Sequence, residues 1–106
     1  MTYLGLDIGT SGVKAMLING EGRALGEASA PAVEPVRPKP GWSEQNPADW
    51  WEAALGAIDK LKQSHSKELA AVKGIGLSGH MHGATLLGEN DAVLRPSILW
   101  NDGRSA

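Results

Sequence analysis

The sequence predicts an α/β fold whose mixed sheet begins with a three-stranded antiparallel meander. Three observations predict it. Apolar residues alternate with period two through Leu4, Leu6 and Ile8, then through Val13, Ala15 and Leu17, with a glycine-containing turn between. Alternation puts one face of each strand against a core, and a short turn makes the two strands antiparallel. Beyond Asn46 the apolar spacing changes to three and four, which is that of an amphipathic helix. A further apolar run, Val72 to Ser78, then supplies a buried strand that completes a strand–helix–strand unit.

The first strand runs through Ile8 and the second from Val13 to Asn19. Asn19-Gly20-Glu21-Gly22 is a strong turn signal, and Arg23 to Ala30 reads as a weak third strand. Pro31 to Pro40 carries four prolines, at 31, 35, 38 and 40. It cannot donate a full ladder of hydrogen bonds, so it is expected as an extended, tethered surface loop. Asn46 suits a helix N-cap, Pro47 the first helical position, and Asp49 the positive end of the helix dipole. Trp51, Ala54, Leu55, Ile58 and Leu61 form the expected apolar face, with Trp50 and Trp51 packed. Polar residues from Lys62 to Ser66 end the helix. Ala84–Leu87 and Val93–Leu94 suggest a short hairpin around Gly88-Glu89-Asn90-Asp91, and Ile98-Leu99-Trp100 a last strand.

At 106 residues the chain is at most one small domain. Its hydrophobic content of 42% and charged content of 21% are those of an ordinary globular protein. A net charge of −2 gives no electrostatic case for nucleic acid or an anionic membrane. The absence of Cys excludes disulfides and thiolate metal sites. No segment approaches the roughly 18 apolar residues of a membrane span, and Asp7 interrupts any leader-like run. A cytoplasmic protein is expected.

The stretch from Tyr3 to Lys14 carries the most chemistry. Asp7 ends the first strand and can hold a hydrated Mg²⁺. Gly9, Thr10, Ser11 and Gly12 make a turn whose N–H groups and hydroxyls can converge on an anion such as a nucleotide's phosphate tail. An ordinary glycine-rich hairpin has the same pattern. In a sheet of this kind ligands gather at the C-terminal ends of strands. Asp7 ends one strand, Gly79-His80-Met81-His82-Gly83 another, and Asn101-Asp102 a third, so three polar clusters can meet in one cleft. His80 and His82 lack a third His beyond His65 for zinc. A neutral imidazole that hydrogen-bonds a polyol hydroxyl suits them better. Ser78, His80 and Asp102 lack the G-x-S-x-G setting of a hydrolase nucleophile.

These residues carry a family resemblance. The run D-I-G-T-S-G-V-K resembles the first phosphate motif of the actin-like ATPase superfamily, and Lys14 falls where such proteins carry a phosphate-contacting Lys. The runs from Gly41 to Trp51, Gly79 to Leu87 and Arg95 to Arg104 are similar to the start of the xylulokinases of the FGGY carbohydrate kinase family. The resemblance covers essentially the whole chain and implies a ribonuclease-H-like, actin-like ATPase domain. Residues 1–106 would be the N-terminal portion of the first, sugar-binding domain, with the second, nucleotide-binding domain absent.

The implied activity is ATP-dependent phosphorylation of D-xylulose, or a related ketose or polyol, with Mg²⁺. On that match Asp7 organises the metal and the γ-phosphate, and Gly9, Thr10, Ser11, Gly12 and Lys14 bind the phosphates. Met81, His82, Trp100, Asn101 and Asp102 face the sugar. The chain departs from the family at His80, where Gln is usual, replacing an amide by an imidazole. Family members are several times longer, and their catalytic base and adenine motifs lie downstream. The chain alone is therefore expected to be inactive, to leave apolar surface on the Val72–Leu77 strand uncovered, and to self-associate or await completion of its domain. A non-catalytic actin-like assembly module would use the same phosphate turn but has no need of the Met81-His82 pair.

Overall fold

A computed structural model describes residues 1–104. Strand β1 (Thr2–Ile8) pairs antiparallel with β2 (Gly12–Asn19), which pairs antiparallel with β3 (Ala24–Pro31). The expected meander is present. Its register sets Leu4 opposite Leu17, Leu6 opposite Ala15, and Ile8 opposite Val13, so the alternating apolar residues share one face. The β2–β3 turn is built by Asn19, whose Oδ1 accepts from the N–H groups of Glu21 and Arg23 at 3.0 and 2.9 Å. Gly22 closes it at φ +80°, a conformation that favours glycine.

Helix α1 (Pro47–Ser64) starts where its cap dictates: Asn46 Oδ1 accepts from the Ala48 N–H at 3.1 Å. Its buried residues are Ala53, Ala54, Ala57 and Leu61. Of the expected face, Ala54 and Leu61 are buried and Ile58 packs beside them, but the reading is corrected at Trp51 and Leu55, which are 65% and 38% exposed. The helix is turned so that its alanines meet Ala28 and Ala30 of β3 and Val13 and Ala15 of β2. Small side chains let helix and sheet approach closely, which a Trp on that face would prevent. Leu4, Ala15, Leu17, Ala57 and Leu61 form the main core cluster. Complete burial of Leu17 and Leu61 contributes about 1.5–3 kcal/mol each in removed apolar surface.

A second, short helix, α2 (Ser66–Ala70), follows where only a polar helix end was expected. Thr2 ties it to the sheet by donating from Oγ1 to the Glu68 carbonyl at 2.9 Å. The chain then enters β5 (Val72–Ser78), parallel to β1, giving the sheet order β3-β2-β1-β5. The strand is not buried as its apolar run suggested. Ile75 and Leu77 lie in register with Leu4 and Leu6, but α1 contacts β1, β2 and β3 and leaves them 62% and 73% exposed.

Two two-residue strands, β4 (Glu44–Gln45), which the sequence did not betray, and β6 (Ser97–Ile98), the expected last strand in shortened form, pair antiparallel beside the main sheet. Val36 brackets Glu44 with two backbone hydrogen bonds of 2.8 and 2.9 Å, so the proline-rich segment is a tethered loop. The hairpin around Gly88 reduces to one Leu87–Val93 bridge over a 3-10 turn, Glu89–Asp91. The last strand ends at Ile98, leaving Trp100 in a turn. Among the described residues no helix is long and apolar enough to cross a membrane.

Candidate active site

The chemistry-bearing residues collect at one end of the sheet. The β1–β2 turn is closed by the Gly9 N–H donating to the Gly12 carbonyl at 2.9 Å. Gly12 has no room for a side chain: a Cβ there would lie 2.5 Å from the Ala30 carbonyl oxygen. Two neighbouring carbonyls point into the fold. Thr10 O accepts from Gln45 Nε2 at 3.0 Å, and Ser11 O from the Ala32 N–H at 3.2 Å. Among the described residues the N–H groups of Thr10 and Ser11 have no protein acceptor. The turn thus leaves two backbone donors without a partner in the fold, a condition that anion binding at a turn requires.

Beside it, β5 ends in the His80–His82 loop. His82 has a φ of +57°, uncommon for a residue with a side chain and frequent at ligand sites. The His80 ring stacks on Trp50, with centroids 4.6 Å apart and planes inclined by 31°. Its Nε2 is buried without a hydrogen-bond partner among the described residues. Burial pushes the imidazole pKa below its ordinary value, which favours the neutral ring.

Two adjoining cavities result. One, of about 310 Å³, is lined by Asp7, Gly9, Thr10, His80, Met81, His82 and Trp100 together with Ile8 and Gly79. The other, of about 510 Å³, is lined by Asp7, Gly9, Ser11, Gly12, Lys14 and Lys60, among others. Asp7 and Gly9 belong to both. The Asp7 side chain is exposed and makes no hydrogen bond or ion pair among the described residues, so its oxygens are free to take a cation's water ligands. Among the described residues no group of three or more His, Asp or Glu side chains could hold a metal. One carboxylate is what Mg²⁺ requires when water and phosphate oxygens supply its other ligands.

Asn101 and Asp102 stand apart from both cavities. The third polar cluster therefore does not line the cleft: its neighbour Trp100 does, while Asp102 is turned inward. The Asp102 carboxylate accepts from the backbone N–H of Ser43 at 2.6 Å and of Arg104 at 2.9 Å, and from the Arg104 guanidinium. The side-chain bond from Arg104 holds its pKa far below the usual carboxylate range, and the same pair, with Glu44, raises that of Arg104. Glu44, only 5% exposed, also pairs with Arg104 at 2.8 Å and with Arg95. This cluster fastens β4 to the segment after β6. Sequence reasoning passed over Glu44 and Gln45 as structural actors, whereas Trp50, expected to pack, does so against Gln45 and His80. The available signal was the polar run Ser43-Glu44-Gln45 directly before a helix cap, all three of which are buried.

A three-stranded meander, a parallel fourth strand and a glycine turn beside an acid at the strand end describe the first part of an actin-like ATPase domain of the sugar-kinase type. Residues 2–106 match the family described as the FGGY family of carbohydrate kinases, N-terminal domain, and the chain belongs to that family. It is 50% identical over 104 residues to the xylulose kinase of Escherichia coli (strain K12), covering 98% of this chain and 21% of that protein. The crystal structure of a "xyloylose kinase" from Brucella ovis superposes with a TM-score of 0.95 at 57% identity, over 99% of this chain and 22% of that one. A xylulose kinase from Rhodospirillum rubrum gives 0.89 at 36% identity, over 98% and 21%. The chain thus spans about a fifth of the length of the curated relatives it matches.

Proposed function

We propose that these residues form the N-terminal, sugar-side part of a kinase that transfers the γ-phosphoryl group of ATP to D-xylulose, giving D-xylulose 5-phosphate. The observation that carries the reading is the pair of cavities joined at Asp7 and Gly9, one walled by a glycine turn and Lys14, the other by Met81, His82 and Trp100. Identity of 50% to a xylulose kinase supports the choice of sugar.

ATP with Mg²⁺ supplies the phosphoryl group and neutralises its charge. The chain's own residues position the reactants. The N–H groups of Thr10 and Ser11 donate to phosphate oxygens, Lys14 adds a cation, and Asp7 holds the metal's water ligands. Met81 lays an apolar surface against the carbon chain, and the His82 imidazole hydrogen-bonds sugar hydroxyls. The adenine pocket and the base that deprotonates the sugar belong, in this reading, to the rest of the kinase. The same remainder covers Ile75 and Leu77, and the 106 residues alone do not turn over and tend to self-associate.

The test is an ADP-release assay on the full-length kinase with D-xylulose, L-xylulose, D-ribulose and glycerol. D-xylulose should lead in kcat/KM by about tenfold or more and require Mg²⁺. A different leading sugar overturns the substrate, and no turnover of any overturns the kinase reading. His80, in place of the more usual Gln, gives a related ketose a specific claim as the second reading.

A further inference from the structure

Gln45 joins the two walls of the cleft through one buried amide. It is 4% exposed, and both its amide donors and its carbonyl oxygen are hydrogen-bonded. Nε2 donates to the carbonyls of Thr10 at 3.0 Å and Val33 at 2.9 Å, while Oε1 accepts from the Trp50 indole N–H at 2.9 Å. Trp50 in turn carries the His80 ring on its face, 4.6 Å away. An unbroken path therefore runs from the glycine turn, through Gln45 and Trp50, to the loop bearing Met81 and His82.

The first link has a consequence for phosphate. In a trans peptide the C=O and the following N–H point in opposite directions. Holding Thr10 O against a buried amide aims the Ser11 N–H outward, on the side where Ser11 lines the second cavity. The other link fixes the sugar loop, because His80 makes no hydrogen bond through Nε2 among the described residues and takes its orientation from the stack. An amide suits this place. It alone among side chains of that length offers two donors and an acceptor without charge, and two carbonyls with an indole N–H demand that set.

We propose that Gln45 is a positioning residue that sets phosphate and sugar walls relative to each other, its phosphate link acting on catalysis and its Trp50 link on the sugar. The proposal rests on the kinase reading above. The full-length kinase is compared with Gln45→Glu, which keeps an acceptor for Trp50 but sets a carboxylate against two carbonyls, and Trp50→Phe, which keeps a ring under His80 but loses the N–H. The glutamate variant should lower kcat about tenfold or more and raise the KM for ATP, with the sugar KM within about twofold. The phenylalanine variant should raise the sugar KM about threefold or more and leave the KM for ATP unchanged. A merely structural glutamine would shift both constants together in both variants, and that pattern, or wild-type kcat in the glutamate variant, overturns the proposal. If the wild-type protein phosphorylates no ketose, the kinase reading is what fails. Amide exchange then decides: faster exchange at residues 10–11 with Gln45→Glu and at 79–82 with Trp50→Phe upholds the strut, and unchanged exchange refutes it.

Discussion

Arg104 clasps the carboxylate of Asp102, with Nη2 2.5 Å from an oxygen whose side chain is wholly buried. Two residues apart, they close a small ring, and Ser43 N–H completes it from across the fold. The pair lowers the Asp102 pKa below the usual range, so folding favours the ionised form. A carboxylate depressed in the folded state contributes stability that is whole above its unfolded value, about 3.9, and lost as pH falls through the folded one. Thermal melting should therefore decline below about pH 4, and Asp102→Asn should melt several degrees lower at pH 7 while losing part of that acid dependence. Melting curves from pH 2.5 to 7 check it; identical pH profiles for variant and wild type would remove Asp102 from the account.

The alanine face of α1 gives a second expectation. Leu61 is fully buried while Trp51, ten residues earlier on the same helix, is 65% exposed. Leu61→Ala should cost about 2–5 kcal/mol through lost burial and the cavity left behind. Trp51→Ala should stay within about 0.5 kcal/mol. Denaturant titration distinguishes them, and a large loss at Trp51 would restore the tryptophan face that periodicity alone suggested.

The contrast shows how far the sequence can be read. Alternation at Leu4, Leu6, Ile8 and Val13, Ala15, Leu17 identifies the strands because one face of each meets a single core. The Asn46-Pro47 cap locates the helix start to the residue for an equally local reason. The helix's rotation was not local: it depends on which side chains let it settle on Ala15, Ala28 and Ala30. Strand β4, two residues long, exists only because β6 arrives from fifty residues away, and no pattern of that length can announce it. Asp7, Gly9, Thr10, Met81, His82 and Trp100 were legible as one cleft because strand ends gather ligands. Asp102 was read as a cleft residue because Ser43, which draws its carboxylate inward beside Arg104, becomes its neighbour only in the folded chain.

The glycine turn between β1 and β2 leads to a third expectation. At Gly12 an added Cβ would sit 2.5 Å from Ala30 O, a backbone atom that cannot step aside. At Gly20 the same methyl meets nothing within 4 Å. Gly12→Ala should destabilise by about 1–3 kcal/mol and impair phosphate binding by displacing the turn from β3. Gly20→Ala should fall within about 0.5 kcal/mol of wild type. Urea midpoints with tripolyphosphate titration of the full-length kinase measure both effects, and equal behaviour of the two variants would remove the steric argument.

Asp7 and Asp102 were singled out alike in the sequence, and the fold assigns them opposite duties. Asp102 is buried and saturated with donors, whereas Asp7 is exposed, lacks a protein partner among the described residues, and belongs to both cavities. A carboxylate that stabilises nothing in the fold loses little there when neutralised, so Asp7→Asn should leave unfolding free energy within about 0.5 kcal/mol. The same change removes the charge that would hold a hydrated cation against the phosphates, where preorganised electrostatics count most. Turnover by the full-length kinase should fall about 10²- to 10³-fold, with the dependence on Mg²⁺ shifted to higher concentration. Asp102→Asn should do the reverse, lowering stability and leaving the Mg²⁺ requirement where it was. Measuring melting and Mg²⁺-dependent rates on both variants separates the roles, and a stable Asp7→Asn protein with unaltered turnover would move the metal elsewhere in the cleft.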